Sequence, residues 1–259
     1  MEVLRGERGS PRQASLLWRH RDSKPSLHSL LPQPSSGYFE SVGDYVDGLK
    51  FSGGSHSMMP KATIKQAIDM AHQHDVYVST GDWAEHMVSK SPSSFKEYVE
   101  EYKQLGFDTI ELNVSSLEIP EETFLRFIRL VKSGGLKAKP HFQVKFNESD
   151  NSLCIYLHVR AERCIEAGAD MIMIDADDVS KHADNMRADI IAKIIGRLGI
   201  EKTMFEASNQ RISEWFIKQY GPNVNLFIDH WNVVDVECLR GRNLGKNLAT
   251  VLGSSDFLF

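Results

Sequence analysis

Apolar residues recur along this chain in two alternating rhythms. Stretches with apolar side chains at i, i+3, i+4 and i+7, the spacing that lays a stripe down one face of a helix, are separated by short apolar runs with little alternation. The helical stripes are Ile64, Ala67, Ile68 and Ala71 after Pro60; Phe95, Tyr98, Val99 and Tyr102 between Pro92 and Gly106; and Phe124, Phe127, Ile128 and Val131 between Pro120 and the Gly134-Gly135 pair. Further stripes are Leu157, Ala161, Cys164 and Ile165, then Met186, Ile190, Ile194 and Leu198, then Ile212, Trp215 and Phe216. Proline opens the first three and glycine halts two of them, as helix starts and stops prefer. The intervening runs, such as Val76 to Val78, Thr109 to Leu112, Met171 to Ile174 and Val224 to Ile228, read as strands of a parallel sheet covered on both faces.

Seven such runs end on an ionisable residue: Lys50, Asp82, Glu111, Lys145, Asp175, Glu206 and Asp229, separated by 32, 29, 34, 30, 31 and 23 residues. That period is one strand plus one helix. It predicts an α/β fold, a TIM-type (β/α)8 barrel, which gathers the C-terminal ends of its strands into one cup. Seven strands are one short of closure and would leave two unpaired edges. Ser15 to Trp18 offers a makeshift first strand, although nothing ionisable ends it. The first strand is therefore either missing or an atypical one patched in from the leader.

Composition narrows the class. The 259 residues, 41% hydrophobic and 25% charged, suffice for one large domain. A formal net charge of -5 argues against nucleic acid or an anionic membrane surface as partner, and no apolar stretch approaches a membrane span. Three cysteines without metal spacing fit reduced thiols in a cytoplasmic setting or an organelle interior. Residues 1–37 stand apart, carrying Arg5, Arg8, Arg12, Arg19, Arg21 and Lys24 against Glu2, Glu7 and Asp22, with repeated Ser and Pro. That composition suits a disordered tail or an organelle transit leader, chloroplast included; the barrel domain spans 38–259.

The strand ends carry the candidate chemistry. Lys50-Phe-Ser-Gly-Gly-Ser-His56 leaves a strand for a helix, and Gly53, Gly54 and Ser55 permit either an anion cradle or an ordinary turn. Lys50 closes a buried strand, so its ammonium is expected in the cup. Asp82 and Glu85 follow the next strand, as Mg2+ ligands or, for Asp82, as a helix cap. Glu111, Asp175 and Glu206 close three further strands and should converge.

Asp47-Gly-Leu-Lys50-Phe-Ser-Gly-Gly, Thr80-Gly-Asp-Trp-Ala-Glu85, Phe205-Glu206-Ala207 and Gly221-Pro-Asn-Val-Asn-Leu226 resemble the phosphosulfolactate synthase family, and most closely its plant heat-stress-associated branch. The resemblance runs from about Tyr38 to Phe259. It implies a barrel on which synthases add sulfite to phosphoenolpyruvate with Mg2+, a carbon-sulfur lyase chemistry, or a branch that serves heat acclimation and retention of acquired thermotolerance after catalysis has lapsed. By position it implies Lys145 as the catalytic proton donor, Lys50, Gly53, Gly54 and Ser55 as substrate binders, and Glu85, Glu111, Asp175 and Glu206 as metal or substrate ligands. A small anionic substrate or another stress protein is the expected partner.

Departures from the synthase pattern accompany the likeness. The leader has no match to the family's first strand, Val114 replaces a small polar or acidic residue, and Asp177 stands where synthases usually carry arginine. The segment between Lys145 and its helix is shortened. Two lysines against Glu85, Glu111, Asp175 and Glu206 leave the bare cup near -2. Two unit charges ~4 Å apart at an effective dielectric of 20 interact by about 4 kcal/mol. The expectation is a barrel that has drifted from the synthase reaction.

Overall fold

A computed structural model of the protein describes residues 14–17, 36–51, 55–81, 92–113, 119–143, 152–175, 187–207 and 209–241. Eight parallel strands close a barrel in sequence order. They are β1 (Ala14–Leu17), β2 (Gly48–Lys50), β3 (Tyr77–Ser79), β4 (Thr109–Asn113), β5 (Lys137–Phe142), β6 (Ile172–Asp175), β7 (Thr203–Glu206) and β8 (Leu226–Asp229). Between them run α1 (Ser36–Val42), α2 (Lys61–Gln73), α3 (Pro92–Leu105), α4 (Glu121–Ser133), α5 (Ser152–Glu166), α6 (Ala188–Leu198) and α7 (Gln210–Tyr220), and a final helix follows β8 over 233–241.

The first strand comes from the leader. β1 pairs in parallel with β2 through Ser15↔Gly48 to Leu17↔Lys50, and with β8 through Ala14↔Leu226 to Leu17↔Asp229. It thereby covers both edges that seven strands would expose. The strand is atypical, as the sequence suggests, since four residues near the chain start do the closing.

Helix stripes bury as their spacing predicts. Ile64, Ala67, Ile68 and Ala71 of α2 are buried, as are Phe124, Phe127, Ile128 and Val131 of α4 and Ile190, Ile194 and Leu198 of α6. Asn209 caps α7 by accepting from the Ile212 N–H at 3.1 Å, which satisfies one of the free donors of its first turn. Aromatic contacts lock helices to strands: Phe205 of β7 stacks on Phe216 of α7 with centroids 4.5 Å apart.

The apolar runs of β6 and β8 are buried on both faces, as read, whereas β4 and β5 alternate apolar residues outward with polar ones inward. Outward positions such as Ile110, Leu112, Ala138, Phe142, Ile172, Ile174, Phe205, Leu226 and Ile228 join the main core under the helices. Inward positions fall into two layers. Met173, Met204 and Phe227 form a second, separate apolar cluster with Met171 against it, while Lys50, Glu111, Lys139, His141 and Glu206 are buried polar residues. The lumen therefore has an apolar part and a charged part.

Strand ends differ in three places from the sequence reading: β3 ends at Ser79, ahead of Asp82, and the other two are on β4 and β5. Glu111 is the middle residue of β4, which continues to Asn113, and β5 ends at Phe142, ahead of Lys145. Lys50, Asp175, Glu206 and Asp229 are the last residues of their strands.

Candidate functional site

Glu111 is the hub of the charged lumen. Held by β4 with no exposed surface, its carboxylate accepts from Lys50 Nζ at 2.6 Å through Oε1. Lys139 Nζ lies 3.2 Å from Oε2, and His141 Nδ1 lies 3.2 Å from Oε1. The other ring nitrogen of His141 faces Glu206 Oε2 at 3.7 Å. These side chains come from β2, β4, β5 and β7, and contacts between non-neighbouring strands are open only to residues pointing into a barrel.

Both lysines lie over the same aromatic ring. Lys50 Nζ is 4.6 Å and Lys139 Nζ 5.8 Å from the centroid of the Phe227 ring, within the range of cation–π attraction. Register explains the convergence: Glu111 is directly opposite Lys139, and Asn113 opposite His141, on β4 and β5. The period-2 alternation of β5 turns Lys139 and His141 inward together while Ala138 and Phe142 pack outward.

Burial alone would raise the Glu111 carboxyl, but the ammoniums of Lys50 and then Lys139, with the His141 hydrogen bond, outweigh it and hold the group well below the usual carboxylate range. Glu111 is thus ionised at any physiological pH. It fixes two cations on the barrel axis, an arrangement able to bind an anion or to stabilise negative charge developing on one. Asp175 and Glu206 are register partners at the adjoining tips of β6 and β7, and Asp229 ends β8.

The sequence-predicted site divides accordingly. Lys50, Glu111 and Glu206 meet, and Asp175 sits beside Glu206 at the rim. Lys145, Gly53, Gly54 and Glu85 lie outside the described residues, and so do Asp82, Val114 and Asp177. Ser55 opens a short 3-10 turn, Ser55–Met58. Lys139, His141 and Asp229 are lumen residues that the site assignment omits.

Mg2+ requires near-octahedral oxygen ligation at about 2.0–2.1 Å. Glu111 Oε1 accepts from Lys50 and faces His141, while Oε2 makes an ion pair with Lys139 at 3.2 Å without a hydrogen bond, so a cation brought there meets two like charges. Among the described residues no three His, Cys, Asp or Glu side chains group as a metal would need. The described donors do not fit a dedicated Mg2+ site.

One neighbouring residue stands out. His56 is buried against Phe51, Tyr102 and Phe107, with ring centroids 6.1, 5.1 and 5.9 Å away. Neither ring nitrogen has a hydrogen-bond partner among the described residues, and burial lowers its pKa to about 4.

Comparison with known proteins bears on this geometry. The family model of (2R)-phospho-3-sulfolactate synthase matches residues 29–246. Protein HEAT-STRESS-ASSOCIATED 32 of Arabidopsis thaliana is 64% identical over 242 residues, covering 85% of each chain. The phosphosulfolactate synthase of Methanothermobacter thermautotrophicus is 28% identical over 227 residues, covering 83% of this chain and 88% of its own. Among solved structures, 3-hexulose-6-phosphate synthase from Salmonella typhimurium superposes with a TM-score of 0.56 at 14% identity, over 89% of this chain and 99% of its own. That last likeness is one of fold.

Proposed function

Because this chain belongs to the phosphosulfolactate synthase family, and resembles its heat-stress-associated relative far more than its synthases, we propose that it acts in the heat-stress response through a cup that holds a small anion and no longer runs the sulfite addition. The disparity of 64% against 28% identity carries the first half of this reading. The Lys50–Glu111–Lys139 cluster supports the second half. Two ammoniums preset on the barrel axis recognise an anion, while the rim acids Asp175, Glu206 and Asp229 and the poor fit to Mg2+ disfavour two polyanionic substrates meeting in the same cup. The resemblance extends this role to retention of acquired thermotolerance.

Incubating the purified protein with phosphoenolpyruvate, sulfite and Mg2+ tests the loss of catalysis. No phosphosulfolactate is expected. Product that forms with the wild type and vanishes in Lys145→Ala would establish a working lyase instead. For the biological half, plants lacking this gene should acquire thermotolerance normally but lose it sooner during recovery; unchanged decay would contradict the role.

A further inference from the structure

We infer that Lys139, acting with Lys50, is the cation that fixes a small organic dianion in this barrel without a divalent metal. The inference rests on the reading that the cup takes a small anionic ligand, and it names what does the holding. Lys139 and Lys50 enter from strands three apart in the barrel order, yet both reach one carboxylate, at 3.2 and 2.6 Å, and one ring, that of Phe227. Neither position is a surface accident, since both side chains are almost fully buried. A buried ammonium is costly without fixed counter-charges; Glu111 supplies one to both lysines at once and so holds their heads together at the axis. Lys50 ends its strand at the C-terminal side of the barrel, where ligands of this fold bind.

The same geometry discriminates between ligands. An arriving dianion meets two converged ammoniums that need no further organisation, so little ordering remains to be done on binding. An arriving dication meets them as like charges, each already ion-paired with the Glu111 carboxylate. The apolar cluster of Met173, Met204 and Phe227 beside the lysines excludes water from one side of the pair, which strengthens their hold on a carboxylate or phosphate.

Calorimetric titration of phosphoenolpyruvate into the full-length protein, once in EDTA and once in Mg2+, tests the assignment. Wild type is expected to bind in EDTA, and Lys139→Met to bind at least about tenfold more weakly, the scale of one lost charge-assisted contact. Binding that appears only with Mg2+ overturns the inference while leaving an anion-holding cup intact. Absence of binding in both buffers overturns the cup reading and the inference with it. Equal affinity of wild type and Lys139→Met removes Lys139 from the site. Should Lys139→Met fail to fold, Lys139→Gln in the same titration decides the part of Lys139, and the wild type in EDTA against Mg2+ decides that of the metal.

Discussion

Acidification should destabilise this protein through His56. The imidazole sits among Phe51, Tyr102 and Phe107 with its nitrogens unpaired among the described residues, and its pKa in the fold is about 4 against an ordinary 6.5. The folded state keeps the ring neutral while the unfolded chain takes up a proton below pH 6.5. Stability is therefore full above that value and is lost as pH falls from about 6.5 towards 4. Linkage puts the whole loss near 3 kcal/mol, with about 2 kcal/mol already gone at pH 5. For a domain of this size that corresponds to a fall in Tm of roughly 4–8 °C. Urea unfolding of wild type and His56→Leu at pH 7.5 and pH 5 isolates the contribution from every other titrating group. The variant should lose about 2 kcal/mol less than wild type over that interval, and it should not be weaker at pH 7.5, since removing an unsatisfied buried polar group is neutral or favourable. Equal losses in both proteins would refute the reasoning.

Three other outcomes follow from the geometry. Glu111→Gln leaves Lys50 and Lys139 without the charge that binds them together, and should cost about 3–5 kcal/mol by urea denaturation, partly recovered by added sulfate; a midpoint unchanged from wild type would contradict the hub. Deleting residues 1–24 removes β1 and reopens the β2 and β8 edges, so the truncated protein should aggregate or lose its single thermal transition by scanning calorimetry; an unaltered melt would show that the leader is dispensable. Gly48→Ala places a methyl group into the ring of Tyr77 on the neighbouring strand and should cost about 1–3 kcal/mol. Replacing Tyr77 by Leu in the same chain should restore most of that loss, and no rescue would mean that the ring is not what glycine makes room for.

Much of the barrel is legible from spacing, because helices on its outside need one apolar stripe each and the stripes of α2, α3 and α4 bury as read, while that of α6 does so from Ile190 on, Met186 lying outside the described residues. The strands are harder. Lys137-Ala-Lys-Pro-His-Phe142 contains no continuous apolar run and holds Pro140, which cannot donate to a ladder, so the eye passes over it to Lys145. Its signal is the alternation: Ala138, Pro140 and Phe142 on one face, Lys137, Lys139 and His141 on the other. A lumen lined with charge reverses the usual expectation that barrel interiors are aliphatic, and that reversal hid Lys139 and His141. The closing strand was equally faint, since four residues in an arginine-rich leader carry no periodicity. Asp175, Glu206 and Asp229 end their strands as the sequence suggests, but a count of charges says nothing of which carboxylate the lysines pair with, and Glu111 takes both.

Residues far apart in sequence meet inside the barrel around Glu111. A double-mutant cycle of Lys50→Met and Glu111→Gln, read by urea unfolding, tests that meeting directly. The two sites, 61 residues apart, should be coupled by about 2–3 kcal/mol, as contacting buried groups are. Additive losses, with coupling under about 0.5 kcal/mol, would place the two side chains in separate environments and contradict the account.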